Sequence, residues 1–467
     1  MFVNKSICVL TAIISLTACH MTPEYVRPDV TTPDSWEGIN KVQDGAVTDT
    51  WWENFGDETL NSLIAQALAN NTDINAAIHV VEQSRAALKI AGASLWPSLN
   101  VNAGVADNYT NPNSGSSFDS ARFNAGLSAS YELDLLGANQ ANKSVFQANL
   151  YSNMYTKDAL QLIVIGEVAQ TYFAWLNLSE RLEIANQTLS QRREVLRIIQ
   201  VRVDAGVDSD LELTQQKILV ANAEASRMQL IELIANSKNS LAILLGRPPQ
   251  GFNLTYSTLN HMVIPNIVTE QPSSLLERRP DLKAAEAKLV AANADIGVAK
   301  AAFYPSISLG VDSSISTTGF GDPSASILSL AASVVAPIFQ GGRLEGGLEQ
   351  ATARQLELAE NYRGAVYRAF QEVEDSLAAV HAAQTRESFL HTAMLQARLA
   401  YTLSKSRYDA GAIDFQTLLD TQMSLLAAED TYAQIRLMRL TAAVGLYKAM
   451  GGGWKHGDEA PIGVVNN

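Results

Sequence analysis

Two hydrophobic periods alternate along this chain, one near 3.6 residues and one of two. From 51 to about 95 apolar residues recur at helical spacing, with a break near Asn70–Thr72. Trp96-Pro97 stops that run, because proline lacks a donor and restricts the residue before it. The period then drops to two. Leu99, Val101, Ala103 and Val105 alternate with Asn100, Asn102, Gly104 and Ala106. Beyond a loop rich in Asn, Ser, Gly and Pro, Phe123, Ala125, Leu127, Ala129, Tyr131, Leu133 and Leu135 alternate with Asn124, Gly126, Ser128, Ser130, Glu132 and Asp134. The pattern predicts strands at about 97–107 and 121–136, greasy on one face and polar on the other. Such strands suit a membrane barrel or a half-buried soluble hairpin, since the signal is weak per segment. Residues 138–202 contain no proline and predict a helix of roughly 100 Å at ~1.5 Å per residue. Leu182, Ala185, Leu189, Leu196, Ile199 and Val203 mark a coiled-coil seam with Arg192 as its one polar intruder. A shorter return helix runs from Asp210 to about Leu245.

The whole pattern then recurs. Phe303-Tyr304-Pro305-Ser306 repeats Leu95-Trp96-Pro97-Ser98 at an offset of 208 residues. Strands are expected at about 305–316 and 326–339, a long helix from Arg343 to Arg407 and a return helix from Asp414 to Met450. Between the long helices and their returns lie Arg202-Val203-Asp204-Ala205-Gly206 and Arg407-Tyr408-Asp409-Ala410-Gly411, 205 residues apart. Glycine there supplies the left-handed residue that ends a helix, and Ser209 or Asp414 can cap the next. Ser209 and Glu212 have capping-box spacing.

The expected fold is therefore mainly α with transmembrane β, a duplicated helix–strand–strand–long helix–helix unit. Its divisions are a signal segment (1–18), an extended leader (19–50), a first repeat (51–246), a connection with a few short strands (247–272), a second repeat (273–451) and a flexible tail (452–467). Four strands cannot close a barrel, and only closed barrels span lipid as β structure. Three copies would supply twelve strands and close one.

Composition narrows the function. Lys and Arg number 34 against 48 Asp and Glu, a net charge of −14, so no nucleic-acid partner is expected. The acidity reads as solvated helix faces or as an acidic lumen. Lys5 precedes the apolar run Ile7–Leu16, which is too short to span a bilayer and ends in Leu16-Thr17-Ala18-Cys19. Those four residues look like a bacterial lipobox, which would make Cys19 the acylated first residue; an ordinary signal peptide is the alternative. Multiple acyl chains on one residue would anchor stably where a single chain does not. With Cys8 removed, no intrachain disulfide is possible. His79, His261, His381, His391 and His456 show no metal-ligand spacing, no phosphate loop is present and no cofactor is implied. An enzyme is not expected.

Leu16–Cys19, Pro23–Pro28, Trp51–Asp57, Glu277-Arg278-Arg279-Pro280-Asp281-Leu282, Phe303–Ser306, Pro337–Arg343 and Arg407–Gly411 together resemble the OprM/NodT branch of the TolC family, outer-membrane efflux lipoproteins. The resemblance implies a homotrimer in outer-membrane lipid, with a twelve-stranded β-barrel continued by a long periplasmic α-helical barrel. It also implies two partners: a periplasmic adaptor (membrane fusion) protein, and an inner-membrane pump of the resistance-nodulation-division or major-facilitator type. Asp420 lies in a run similar to the one bearing the family's constricting aspartate ring, and Tyr408 matches a gate aromatic. Gln416 falls where such channels carry an apolar constricting residue, and Asp414 caps the same segment. Arg202, Asp204 and Gly206, with Arg407, Asp409 and Gly411, are implied as the adaptor-facing turns. The expected function is a passive exit duct for drugs and other small toxic compounds, gated at its periplasmic end. A duct for secreted protein and a non-conducting structural coiled-coil lipoprotein are the alternatives. The lipobox and the Arg-Arg-Pro-Asp motif favour the small-molecule branch, and a structural rod has no need of four amphipathic strands.

Overall fold

Glycine, proline and short polar caps cut the chain into elements whose order repeats. The structure, a computed structural model, describes residues 21–37, 48–110, 118–255, 258–265, 271–318 and 325–454. A 3-10 turn at Trp51–Phe55 leads into α1 (Glu58–Asn70) and α2 (Thr72–Ala93), then β1 (Ser98–Thr110) and β2 (Phe118–Leu133). The long α3 (Ala138–Asp204) and its return α4 (Asp210–Leu244) complete the first repeat. The second repeat carries a helical turn at Leu275–Arg278, α5 (Pro280–Ala301), β3 (Ser306–Thr318), β4 (Ala325–Val335), α6 (Arg343–Asp409) and α7 (Phe415–Ala449). The long helices α3 and α6 both have 67 residues, and the returns α4 and α7 both have 35. At ~1.5 Å per residue these are roughly 100 Å and 50 Å long.

The four strands form one antiparallel sheet in the order β1-β2-β3-β4, so the β2–β3 pairing joins the two repeats. Register decides which residues share a face. Val101, Leu127 and Leu328 fall in one cross-strand row with Ser313, and Leu99, Ala129, Val311 and Leu330 in the next. The opposite face carries Asn100, Ser128, Asp312 and Ser329 in line, with Asn102 Nδ2 donating to Ser128 Oγ at 3.2 Å. This is the sidedness that the alternation predicts. β1 and β4 are left as open edges.

Below the sheet, α2, α3, α5 and α6 lie side by side, and α4 and α7 pack along the far halves of α3 and α6. One core sits where the Trp51–Phe55 turn, α1, α3 and α7 meet. Trp51 stacks on Tyr447 with centroids 5.0 Å apart, and Phe55 packs on Phe173 at 5.1 Å. A second core lies at the hairpin ends. Arg192 in the predicted seam is buried, its charge carried across to α4: Nη1 donates to the Leu219 carbonyl at 2.7 Å, and Gln216 Nε2 donates back to the Arg192 carbonyl at 2.8 Å.

Some expectations are corrected. The leader is extended but tied down between 21 and 37, because Arg27 holds Glu286 at 2.6 Å and Trp36 is buried against Phe370. Cys19, like the expected signal segment at 1–18, lies outside the described residues. The tail begins docked: Trp454 Nε1 donates to the Arg278 carbonyl at 2.7 Å, and residues after 454 lie outside the described residues. The 247–272 connection has a 3-10 turn at Leu259–His261 and no strand among its described residues. β4 stops at Val335, short of the expected 339, since Pro337 cannot donate to a ladder.

Two glycines test this account of the turns. Gly206 and Gly246 both have positive φ, 72° and 66°, but a Cβ on Gly206 meets nothing within 4 Å, whereas one on Gly246 lies 2.0 Å from the Asn70 carbonyl oxygen. Gly206→Ala should cost about 1–2 kcal/mol for the left-handed backbone alone. Gly246→Ala should cost clearly more, read as a larger drop in melting temperature followed by circular dichroism.

Candidate functional site at the hairpin ends

The two helical hairpins end in duplicate geometry. At the first, Val207 N–H donates to the Arg202 carbonyl at 2.8 Å and Gly206 N–H to the Val203 carbonyl at 2.9 Å. At the second, Ala412 donates to Arg407 at 2.8 Å and Gly411 to Tyr408 at 2.9 Å. Both are the paired bonds of a helix closed by a left-handed glycine, and Gly206 and Gly411 share a φ of 72°. The return helices start on caps: Ser209 and Glu212 form the reciprocal box, and Asp414 accepts the Thr417 amide at 2.9 Å. The Thr417 hydrogen bonds hold the Asp414 carboxyl below its ordinary pKa.

An apolar cluster joins the hairpins. Ile199 of α3, Leu213 of α4, Tyr401 and Tyr408 of α6, and Phe415, Leu418, Leu419 and Leu425 of α7 are buried together. Tyr408 lies at its centre, 6.2 Å from the Phe415 ring, with the Arg202 guanidinium 5.5 Å over its own ring. Burial pushes its phenol up, with the nearby Arg202 charge opposing. Its hydroxyl is buried and finds no hydrogen-bond partner among the described residues. Asp420 is on the other side of α7. It is exposed, and Gln416 Nε2 donates to its Oδ1 at 2.9 Å. Positions 415, 418, 419 and 422 face the cluster, while 416, 420 and 423 are exposed. Tyr408 and Asp420 are thus on one hairpin but do not meet.

The turn residues divide in the same way. Asp204 accepts from Gln200 at 2.9 Å and Asp409 pairs with Lys405 at 3.2 Å, both exposed contacts within one helix. Arg202 faces Asp208 at 2.8 Å as an ion pair without hydrogen-bond alignment, and the Asp208 side chain is only 9% exposed. Asp208 is therefore engaged by Arg202, and the cap of α4 is its neighbour Ser209. The equivalent position in the second hairpin is Ile413, which packs on the apolar cluster, and Arg407 is left exposed.

One pair of contacts escaped the sequence reading. Arg193 holds Glu224 and Arg398 holds Glu429, both at 2.6 Å and 205 residues apart, binding each long helix to its return. The recurrence of Glu224 at Glu429 is visible in the sequence. Their arginines lie at the same offset and would have exposed the pairing.

With this geometry in place, comparison with known proteins defines the class. The family described as outer membrane efflux protein matches residues 63–247 and 271–452, one segment in each repeat. The chain belongs to that family. Its members are outer-membrane transport channels and not enzymes. The pyoverdine export outer membrane protein OpmQ of Pseudomonas aeruginosa is 36% identical over 462 residues, covering 97% of both chains. The solved outer-membrane channel OprN superposes with a TM-score of 0.86 at 27% identity, over 93% of this chain and 100% of its own. The open state of the Neisseria gonorrhoeae MtrE channel superposes at 0.85 with 29% identity, over 93% and 98%. The chain is an outer-membrane efflux channel whose helices extend into the periplasm.

The Asp414 cap carries a pH signature. A carboxyl held below its ordinary value stabilises the fold above the unfolded pKa of about 4, and that contribution is lost as pH falls through the lower folded value. Hydrogen exchange at the start of α7 should therefore accelerate relative to its middle as pH drops below about 4. Asp414→Ala should show that fast exchange already at neutral pH. Equal protection in both proteins at pH 7 would remove the cap from the account.

Proposed function

We propose that the chain is the exit duct of a tripartite efflux assembly, working as a homotrimer with a periplasmic adaptor and an inner-membrane pump that supplies the energy. The observation that carries this is a four-stranded sheet with two open edges mounted on helices of roughly 100 Å. In lipid every backbone polar group needs a partner, so β1 of one copy pairs with β4 of the next and twelve strands close the barrel. The duct itself has no catalytic role. Its cargo is small organic compounds, drugs among them, a reading supported by the pyoverdine-export relative.

Acylation of Cys19 fits the leader's course. Thr22, three positions after Cys19 in the sequence, packs on Gly297, four residues before the end of α5 and nine before β3 begins. Labelling with a fatty acid should mark the wild type and spare Cys19→Ser; equal labelling would discard the lipobox.

At the far end, Arg202, Asp204 and Gly206 with Arg407, Asp409 and Gly411 form the surface offered to the adaptor. Asp420 forms the gate ring, Gln416 orients its carboxylate, Asp414 fixes the start of its helix and Tyr408 anchors that helix to the neighbouring hairpin. Three-fold symmetry sets three Asp420 carboxylates about one axis, and among the described residues no ion pair neutralises them. Such a ring attracts cations and repels anions. Asp420→Ala should raise single-channel conductance in planar bilayers and lower cation preference. Wild-type conductance and selectivity in an intact mutant trimer would overturn the gate assignment.

A further inference from the structure

One of the differences between the two repeats lies on the helical wall next to the sheet. In the second repeat Asn293 Nδ2 donates to the Pro23 carbonyl at 2.7 Å, and Thr22 lies so close to Gly297 that an added Cβ would sit 2.2 Å from its Oγ1. The leader continues over α6, where Arg363 donates to the Asp29 carbonyl at 3.3 Å. The offset of 208 that relates Trp96-Pro97 to Tyr304-Pro305 places Arg85 and Lys89 of α2 where α5 has Asn293 and Gly297. A lysine at the Gly297 place leaves no room for a leader. The matching groove between α2 and α3 is instead open, about 690 Å³, and lined by Arg85, Leu88, Lys89, Gly92, Trp96 and Lys143 among others. Its lining holds three cations and no carboxylate. The second-repeat counterparts of those cations, Asn293, Gly297 and Leu348, are all neutral.

The groove's level and side follow from its neighbours. Trp96 is 74% exposed and stands two residues before β1, whose Leu99 and Val101 are exposed apolar positions. The opposite face of the wall is distinct, for Asp295 and Val298 of α5 line another groove with Gly347 and Arg354. Arg85 and Lys89 therefore share the leader's face, which is the outer one if Cys19 is acylated as proposed above. Cations on flexible stems beside an interfacial tryptophan suit a phosphate at the membrane surface.

We propose that this groove binds the headgroup of an anionic glycerophospholipid in the leaflet facing the periplasm. Lys89 and Lys143 hold the phosphate and Trp96 packs beside the glycerol. The aliphatic stem of Lys143 already lies along α2, its Cε 3.9 Å from where a Cβ on Gly92 would be.

The test is native mass spectrometry of the detergent-solubilised full-length trimer titrated with phosphatidylglycerol or phosphatidylethanolamine. Wild type should retain phosphatidylglycerol in preference. Lys89→Gln combined with Lys143→Gln should weaken that retention roughly thirtyfold, with the trimer intact in the same spectra. Lys217→Gln combined with Lys238→Gln, the same charge change far along α4, should retain it as wild type does. Equal retention of both lipids, an equal loss in the two double variants, or displacement by millimolar inorganic phosphate would each overturn the proposal. Fatty-acid labelling of Cys19 reads the leader independently, so failure of the anchor and failure of the groove are distinguishable.

Discussion

Backbone hydrogen bonding at the sheet edges is the constraint from which the rest follows. β1 and β4 each present an edge of amide and carbonyl groups that no other strand meets among the described residues. In water such edges invite aggregation; in hydrocarbon each open group costs several kcal/mol. A sheet that is apolar along one face cannot stay in water, and an open one cannot stay in lipid. Pairing of β1 with β4 of a second copy, as proposed above, would meet both edges at once. The length of α3 and α6 then places the hairpin ends far from the membrane, where a closure can act without disturbing the barrel.

Duplication supplied the scaffold, and divergence supplied the differences between its two halves. Helix ends are conserved between the halves: Gly206 and Gly411 share their φ, and Arg193–Glu224 has its copy in Arg398–Glu429. These contacts are backbone geometry and helix-to-helix ties that any hairpin of this kind needs. Charge is where the halves part. Asp208 answers Arg202, but Ile413 leaves Arg407 facing solvent. Gln215 and Asp420 occupy equivalent places, as do Lys89 and Gly297. In the trimer proposed above, identical halves would give walls of six-fold symmetry, and these substitutions would reduce it to three.

Much of this was legible in the residues themselves. Period alone separates strands from helices here, since the strands alternate over many positions and the long helices contain no proline. The glycine turns and their caps carry local chemistry that needs no tertiary context. What could not be read was long-range. The leader looks unstructured because its partners, Glu286 and Phe370, are more than 250 residues away in the case of Arg27 and hidden on another helix in the case of Trp36. The pairing of Asp208 with Arg202 was obscured by its neighbour Ser209, the residue that does cap. Asp420 could be placed on the free face of α7 by spacing from Leu418 and Leu419, whereas the burial of Tyr408 depends on Ile199 and Leu213 from the other repeat.

The leader's contacts also set an order of events. Arg27 waits for Glu286, 259 positions later in the chain, and Trp51 stacks on Tyr447 from the last helix. Residues near the start of the chain are thus among the last to find their partners. Contacts this distant close slowly, because the entropy of a long loop must be overcome before any of them forms. Until α7 arrives the first half holds a bare aromatic surface, so the N-terminal half should have no independent folded life. Each half is completed only by contacts from the other.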